Sequence, residues 1–275
     1  MKYLFKCKTS EAYNIKILSE LLSYNIKTGC FEITENGIFL RMFDYHRKTL
    51  IDLELKAEKF VKYIYNSPNP KISVGVNLNH FFKMLRSIKK KDSLELYILQ
   101  DHQHELIITS IPRENTRKTM SNIKIQSVQN IEIELPSGYD KSILVNSCDF
   151  QKMCKDLNSI GSLNIDVFSK LGYIEFTANA DDILKRSVCF GHDNDEDYEH
   201  NKTSVDVTNY KSTFSMDHFF RINKITGLSS NIQIYASSVD LPIFFKVDVG
   251  QLGSLSIYLK SKEMIESESV NYIDE

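Results

Sequence analysis

The chain has no tryptophan, and only 10 glycines and 5 prolines among its 275 residues. So few chain breakers exclude a collagen-like or linker-dominated protein and leave room for long regular elements. The phosphate-cradling pattern G-x-x-x-x-G-K-[ST] is missing, and so is G-x-G-x-x-G. Neither common nucleotide-binding loop is therefore present. The five cysteines, Cys7, Cys30, Cys148, Cys154 and Cys189, are odd in number and scattered, and none form C-x-x-C. Reduced thiols in an intracellular protein are expected, not a disulfide framework. No apolar run approaches a membrane span, and the opening MKYLFKCK has no apolar core of the signal-peptide kind. A formal net charge of −2 excludes a basic nucleic-acid coat, so any nucleic-acid site must be local.

With 42% hydrophobic residues, the chain can bury a core in one large or two ordinary domains. A repeat decides between them. ISVGVNLNHFFKMLRSI (Ile72 to Ile88) returns as STFSMDHFFRINKITG (Ser212 to Gly227): His80-Phe81-Phe82-Lys83 aligns with His218-Phe219-Phe220-Arg221, 138 positions later. The same spacing pairs Arg86 with Lys224, and SLELY (Ser93 to Tyr97) with NIQIY (Asn231 to Tyr235). A chain that echoes itself near its midpoint reads as two copies of one domain. In the first copy Asn77 or Asn79 caps a helix running to Ile88, with Phe81, Leu85 and Ile88 on its buried face. Lys83 and Arg86 are i, i+3 neighbours on another face, and Arg221 and Lys224 repeat that pair behind a candidate cap at Asp217. Any amphipathic helix carries some charge outside; recurrence at matched positions is what points to function.

Before the first repeated element, Glu11 to Leu22 reads as a helix with Ile15, Leu18 and Leu22 inward and Lys16 off that face. Cys30 to Phe43 reads as a hairpin turning at Glu35-Asn36-Gly37. The domains expected are 1–125 and 142–262, joined by a connector at 126–141 that contains IEIELPSGYDK, and followed by a loose acidic tail at 263–275. The second domain restarts with a helix over Val145 to Gly161, where Lys152 and Lys155 form another i, i+3 basic pair. The fold class is α+β, with two helices and antiparallel strands in each domain.

Chemistry-bearing clusters read as ordinary surface or core. His102-x-His104 sits near a turn, as a solvated loop would. Asp193, Asp195 and Asp197 imitate the start of a calcium loop, but Tyr198 stands where glycine is needed and Ser204 where a bidentate carboxylate is needed. Cys148 and Cys154 read as core thiols. No metal and no cofactor is expected, and an enzyme acting on nucleic acid through an unrecognised site is the weaker alternative.

Strings along residues 1 to 262 resemble one family. VGVNLNHFFKMLRSI, CDFQKMCKDLNSIG, ENGIFLRMFDYHRKTLIDLEL and DLPIFFKVDVGQLGSLSIYLKSK look like successive segments of the DNA sliding clamps of the proliferating cell nuclear antigen type. The resemblance implies a DNA-clamp fold assembled as a homotrimeric ring, with helices lining a central hole and sheets outside. It implies a non-catalytic processivity factor that encircles double-stranded DNA, tethers DNA polymerase and repair proteins through short peptide motifs, and is placed by a clamp loader. Localisation would be intracellular at sites of replication: the nucleus, or a cytoplasmic factory if the chain is viral. Abundant Lys, Asn, Ile and Ser fit an AT-rich genome, such as that of a large DNA virus. A specialised clamp relative in damage signalling or viral transcription is a further alternative.

Carried over residue by residue, the resemblance puts Lys16, Lys83, Arg86, Lys152, Lys155 and Lys224 on the hole lining, with Arg221 an added candidate. Counterion release at phosphates without base readout suits a ring that must slide. The client pocket would comprise Phe43, Leu50, Ile133, Leu135, Pro242 and Tyr258. Subunits would join through Thr119 to Ser127 (Ile123, Ile125) against Asp182 to Phe190 (Leu184, Val188). Departures are visible: Ile17 and Ser23 replace two lysines of the family's first helix, the pocket-side loop is Asp44-Tyr45-His46-Arg47, and Lys260-Ser261 replaces Ala-Pro after the last strand.

Overall fold

The structure is a computed structural model that describes residues 2–114, 117–128, 131–170, 172–181, 183–191 and 209–271. It divides into two compact units. Unit 1 comprises Met1–Glu134, Gly227–Ser229 and Val247–Ile257; unit 2 comprises Leu135–Thr226, Ser230–Lys246 and Tyr258–Glu275. The boundary thus falls at the far end of the expected connector's acidic stretch. The turn near the end of the chain belongs to unit 1, although sequence order assigns it to the second domain.

Unit 1 begins with β1 (Tyr3–Thr9), α1 (Ala12–Asn25), β2 (Thr28–Ile33), β3 (Gly37–Phe43), β4 (Thr49–Lys56) and β5 (Lys62–Tyr65). It continues with β6 (Ile72–Asn77), α2 (Leu78–Leu85), β7 (Ser93–Leu99), β8 (His102–Ile111) and β9 (Thr119–Lys124). One sheet has the order β5-β1-β7-β8-β9, and β4-β3-β2-β6 run side by side in another. The helices pack on each other, and bury Ile15, Leu18, Leu22, Phe81 and Leu85. With Phe5 and Cys7 of β1, Ile15, Leu18, Leu22 and Phe81 line a small apolar void of about 50 Å³.

Unit 2 holds β10 (Ile143–Asn146), α3 (Ser147–Asn158), β11 (Asn164–Lys170), β12 (Tyr173–Ala180), β13 (Leu184–Gly191), β14 (Tyr210–Ser215), α4 (Met216–Ile222), β15 (Asn231–Tyr235) and most of β16 (Ile243–Asp248). The last strand, β17 (Gly253–Leu259), has Gly253–Ile257 in unit 1. The pairings repeat those of unit 1. β10 pairs β15 as β1 pairs β7, and β11 lies between β12 and β14 as β2 lies between β3 and β6. Its core is a cluster of Phe150, Phe176, Phe214, Phe219 and Phe245, whose rings meet edge to face at centroid distances from 5.6 to 6.2 Å.

The repeat in the sequence is a repeat in space: β6, α2 and β7 each begin 138 positions before β14, α4 and β15. The caps are settled by side chains. Asn77 Oδ1 accepts from the His80 amide at 3.0 Å, and Asn146 Oδ1 from the Cys148 amide at 2.9 Å. Asp217 is not a cap. It lies in the first turn of α4, where its carboxylate meets Arg221 at 2.8 Å. The segment read as a loose tail is also different, because Lys262–Asn271 form a further helix, α5. Ser261 Oγ accepts from the Met264 amide at 3.2 Å, and Glu263 from the Thr213 amide on β14. Capping and capture by a strand edge offset the weak intrinsic amphipathicity of this segment.

Candidate nucleic-acid interface and docking groove

In unit 1, Lys83 and Arg86 are exposed at the C-terminal end of α2. Their positive charge there is favoured by the helix dipole. Lys16 on α1 is half-buried and differs from them. Its ammonium donates to the Ile88 carbonyl at 3.0 Å and stands 5.4 Å from the Tyr13 ring centroid, which Lys90 approaches at 5.8 Å. It therefore ties α1 to the end of α2 and offers less free charge to a ligand. The run Lys89-Lys90-Lys91 is exposed just beyond α2. It falls after the periodic stretch, so helical spacing does not single it out.

In unit 2, Lys152, Lys155 and Arg221 are exposed, and Lys224 is half-buried in the single 3₁₀ turn after α4. Two of these cations have acidic neighbours that periodicity did not reveal. Lys152 lies 3.2 Å from Asp149, and Arg221 lies 2.8 Å from Asp217. Lys155 instead donates to Gln151 at 3.4 Å. Exposed pairs of this kind contribute roughly 0–1 kcal/mol, so a phosphate can displace either carboxylate at little cost.

The residues expected to receive clients divide between the units. Phe43, Leu50 and Ile133 belong to unit 1; Leu135, Pro242 and Tyr258 belong to unit 2. Within unit 1, Arg41, Met42, Phe43, Asp44, Tyr45, Arg47, Ile131 and Ile133 line a groove of about 250 Å³. Arg41 builds it: its Nε holds Asp52 at 2.8 Å while its Nη1 donates to the Ile133 carbonyl at 3.2 Å, drawing the connector over β3. Buried Asp44 shapes the loop by accepting from the Lys48 and Thr49 amides at 2.7 and 2.9 Å. That leaves Tyr45 93% exposed and Ile131 60% exposed.

Leu50 and Tyr258 require a correction. Both are buried, at 3% and 6% exposure, and so cannot serve as direct contact surface in the chain by itself. Leu50 faces the core from β4. Tyr258 stacks on Phe244 with centroids 4.4 Å apart, in a unit 2 cluster with Tyr139, whose hydroxyl donates to the Pro242 carbonyl at 2.9 Å. Pro242 is buried as well, while Leu135 is half-buried.

The two strands expected at subunit contacts, β9 and β13, each end a sheet. Large apolar side chains stand exposed along them and the turn before β13: Met120 at 65%, Ile183 at 90% and Leu184 at 50%. Ile125 and Val188 are half-buried. Ile123 differs from expectation, being 7% exposed and directed into unit 1 opposite Leu106.

Among the described residues no group of three or more His, Cys, Asp or Glu is placed to hold a metal ion. The Asp193, Asp195 and Asp197 series lies outside the described residues. Cys154 is buried, and burial pushes its thiol up to about 12. Cys148, expected in the core, is exposed at the start of α3 because the apolar face of that helix runs through Phe150, Met153 and Leu157. No described helix is long and apolar enough to cross a membrane.

The two units repeat one α+β plan, with exposed cations at matched helix positions and with β9 and β13 as end strands of their sheets. The chain belongs to the proliferating cell nuclear antigen family: residues 4–135 match that family's N-terminal domain and residues 133–262 its C-terminal domain. It is 25% identical over 261 residues to the "probable DNA polymerase sliding clamp 1" of Paramecium bursaria Chlorella virus 1, covering 93% of this chain and 96% of that protein. It is 26% identical over 228 residues to the uncharacterized protein 436R of Invertebrate iridescent virus 6, covering 81% of this chain and 72% of that one. The crystal structure of the proliferating cellular nuclear antigen from Entamoeba histolytica superposes with a TM-score of 0.79 at 18% identity, covering 94% of this chain and 99% of that one.

Proposed function

We propose that this chain is the subunit of a sliding clamp, a processivity factor that encircles duplex DNA and tethers a DNA polymerase to it. The observation that carries the reading is the matched set of cations at equivalent helices of the two units: Lys83 and Arg86 at the C-terminal end of α2 with Arg221 and Lys224 at that of α4, and Lys152 and Lys155 on α3. Helix-borne Lys and Arg attract phosphates of any sequence and release counterions without reading bases. Sliding needs that indifference. The protein works as a scaffold, without a reaction of its own.

The ring is a trimer joined edge to edge through β9 of one subunit and β13 of the next. Within unit 1 the outer edge of β4 is covered by β17. In the duplicated plan β13 is the counterpart of β4, and β9 is the counterpart of β17. Neither outer edge is paired among the described residues, and pairing them between copies repeats a junction the chain already makes. Clients dock by a short peptide with an aromatic anchor at the groove of Phe43, Tyr45, Ile131 and Ile133, and a clamp loader opens the ring at replication sites.

The test is solution mass together with topological retention. A ring gives three times the chain mass of 31.8 kDa. It stays on circular DNA and is lost when the circle is cut. A monomeric mass, or equal retention on cut and closed DNA, removes this reading.

A further inference from the structure

One face of the β5-β1-β7-β8-β9 sheet carries a basic cleft beside its end strand β9. Lys8, Lys91, Ser93, Glu95, Thr109, Ile111, Pro112, Arg113 and Lys118 enclose about 420 Å³. The register aligns Lys8 with Glu95 and Glu95 with Thr109 across β1, β7 and β8, so these side chains share one face. The carboxylate in the cleft is already neutralised, since Glu95 is held by Lys6 at 2.9 Å and Lys8 at 3.4 Å. Lys91, Arg113 and Lys118 are exposed, and none is ion-paired among the described residues. Three cations around a satisfied carboxylate form an unbalanced positive site.

Lys118 immediately precedes β9, and that position identifies the occupant. In unit 1 the Lys56 amide, at the end of β4, donates to the Leu252 carbonyl, just before β17, at 2.9 Å. That pair therefore runs antiparallel, end of β4 to start of β17. The same polarity between copies brings the end of β13, Gly191, to the start of β9, Thr119. The chain that continues from Gly191 reads His-Asp-Asn-Asp-Glu-Asp-Tyr-Glu, with five carboxylates between Asp193 and Glu199. Seven residues reach at most about 24 Å, and three strand spacings of about 4.8 Å each separate β9 from β1.

We infer that the acidic segment Asp193–Glu199 of a second copy docks in the basic cleft formed by Lys8, Lys91, Arg113 and Lys118, as an electrostatic clasp beside the strand pairing. The clasp rests on the ring reading above. Its charge complementarity sets subunit affinity and its salt dependence, while the β9–β13 ladder sets direction.

Three full-length variants test it, with subunit dissociation measured by analytical ultracentrifugation from 0.1 to 1 M salt. The first carries Lys91→Glu, Arg113→Glu and Lys118→Glu. The second carries Asp193→Lys, Asp195→Lys and Asp197→Lys. The third carries all six. Each of the first two is expected to weaken association about tenfold or more at 0.1 M salt, and the third to recover most of the loss. The differences should shrink toward 1 M, where the screening length falls to about 3 Å. Far-UV circular dichroism and thermal midpoint check that these surface changes leave the fold intact.

The outcomes separate the two readings. A wild-type chain that never associates overturns the ring and the clasp together. A wild type that associates, with variants equally tight and equal in salt slope, overturns the clasp alone. Weakened single sets without recovery in the six-fold variant overturn the pairing of these two surfaces. A cleft variant that loses DNA retention but keeps its subunit affinity assigns the cleft to phosphate instead, and also overturns the clasp.

Discussion

The amide of Ile125 donates to the carbonyl of His104 at 2.8 Å, and this one bond fixes the polarity of β9. Amides two residues apart point the same way in a strand. The amide of Ile123 therefore also turns inward, toward Leu106 on β8. Those of Asn122 and Lys124 turn outward to the open edge.

It follows that proline at Lys124 tests the subunit contact and proline at Ile123 does not. Lys124→Pro removes an outward donor, which a strand edge tolerates. It is expected to give monomers with an unchanged thermal midpoint. Ile123→Pro removes a bond inside the sheet and displaces a buried side chain, costing about 3 kcal/mol or more in stability. If Lys124→Pro keeps the mass of the assembly, β9 is not the contact strand.

The edge of β14 is closed differently. Glu263 accepts from the Thr213 amide at 3.1 and 3.2 Å through its two oxygens. Burial alone would raise the Glu263 carboxyl, but backbone amides at Glu263 and Thr213 and nearby hydroxyls hold it below 4.5. A carboxylate lowered on folding stabilises the folded chain above its unfolded value, and that contribution is lost as pH falls through the folded value. Glu263→Gln is expected to cost about 0.5–1 kcal/mol at neutral pH, a small figure because the group is largely exposed. The difference between the two proteins should vanish in urea titrations as pH falls through the lowered folded value. A constant difference across that range would assign the effect to helix propensity.

Much of this architecture was legible from residues alone. The 138-residue echo marks β6, α2 and β7 and their copies, because burial imposes one periodicity on both. Hidden features depend on tertiary partners. α5 is held by Thr213 and by Asn164, which accepts from Lys262, and no local pattern announces either. Of the pocket residues named by resemblance, Phe43 and Ile133 line the groove. Resemblance aligns positions but does not report burial, so it could not separate Phe43 from Leu50. The inward turn of Ile123 follows from strand parity, which a one-residue shift inverts.

For the groove, Phe43→Ala and Ile133→Ala are expected to weaken an aromatic-anchored peptide about 30-fold, near 2 kcal/mol, with assembly unchanged. Tyr45→Ala probes the exposed rim and should cost less. Leu50→Ala and Tyr258→Ala instead remove packed side chains and should lower stability by about 2–5 kcal/mol. Isothermal titration with unfolding curves separates the two effects. Equal peptide affinity in wild type, Phe43→Ala and Ile133→Ala would move docking elsewhere.

The helix cations give the sharpest prediction. Lys83, Arg86 and Lys155 are exposed, and none is ion-paired among the described residues. In the proposed threefold ring each would be multiplied into a circle of like charges, so single alanine changes should shift DNA retention less than about threefold. Reversing all three to glutamate makes nine changes per ring and should abolish retention near 0.15 M salt. Every phosphate that is no longer neutralised should lower the slope of log affinity against log salt by about 0.9. Asp149→Asn and Asp217→Asn should act oppositely, since they release Lys152 and Arg221 for phosphate; a modest gain in retention is expected. None of these effects should depend on base sequence. The measurement is retention on end-blocked duplex across a salt series, for wild type, the triple reversal and the two asparagine variants. A triple reversal that retains DNA with the wild-type slope would mean that these helices do not face DNA.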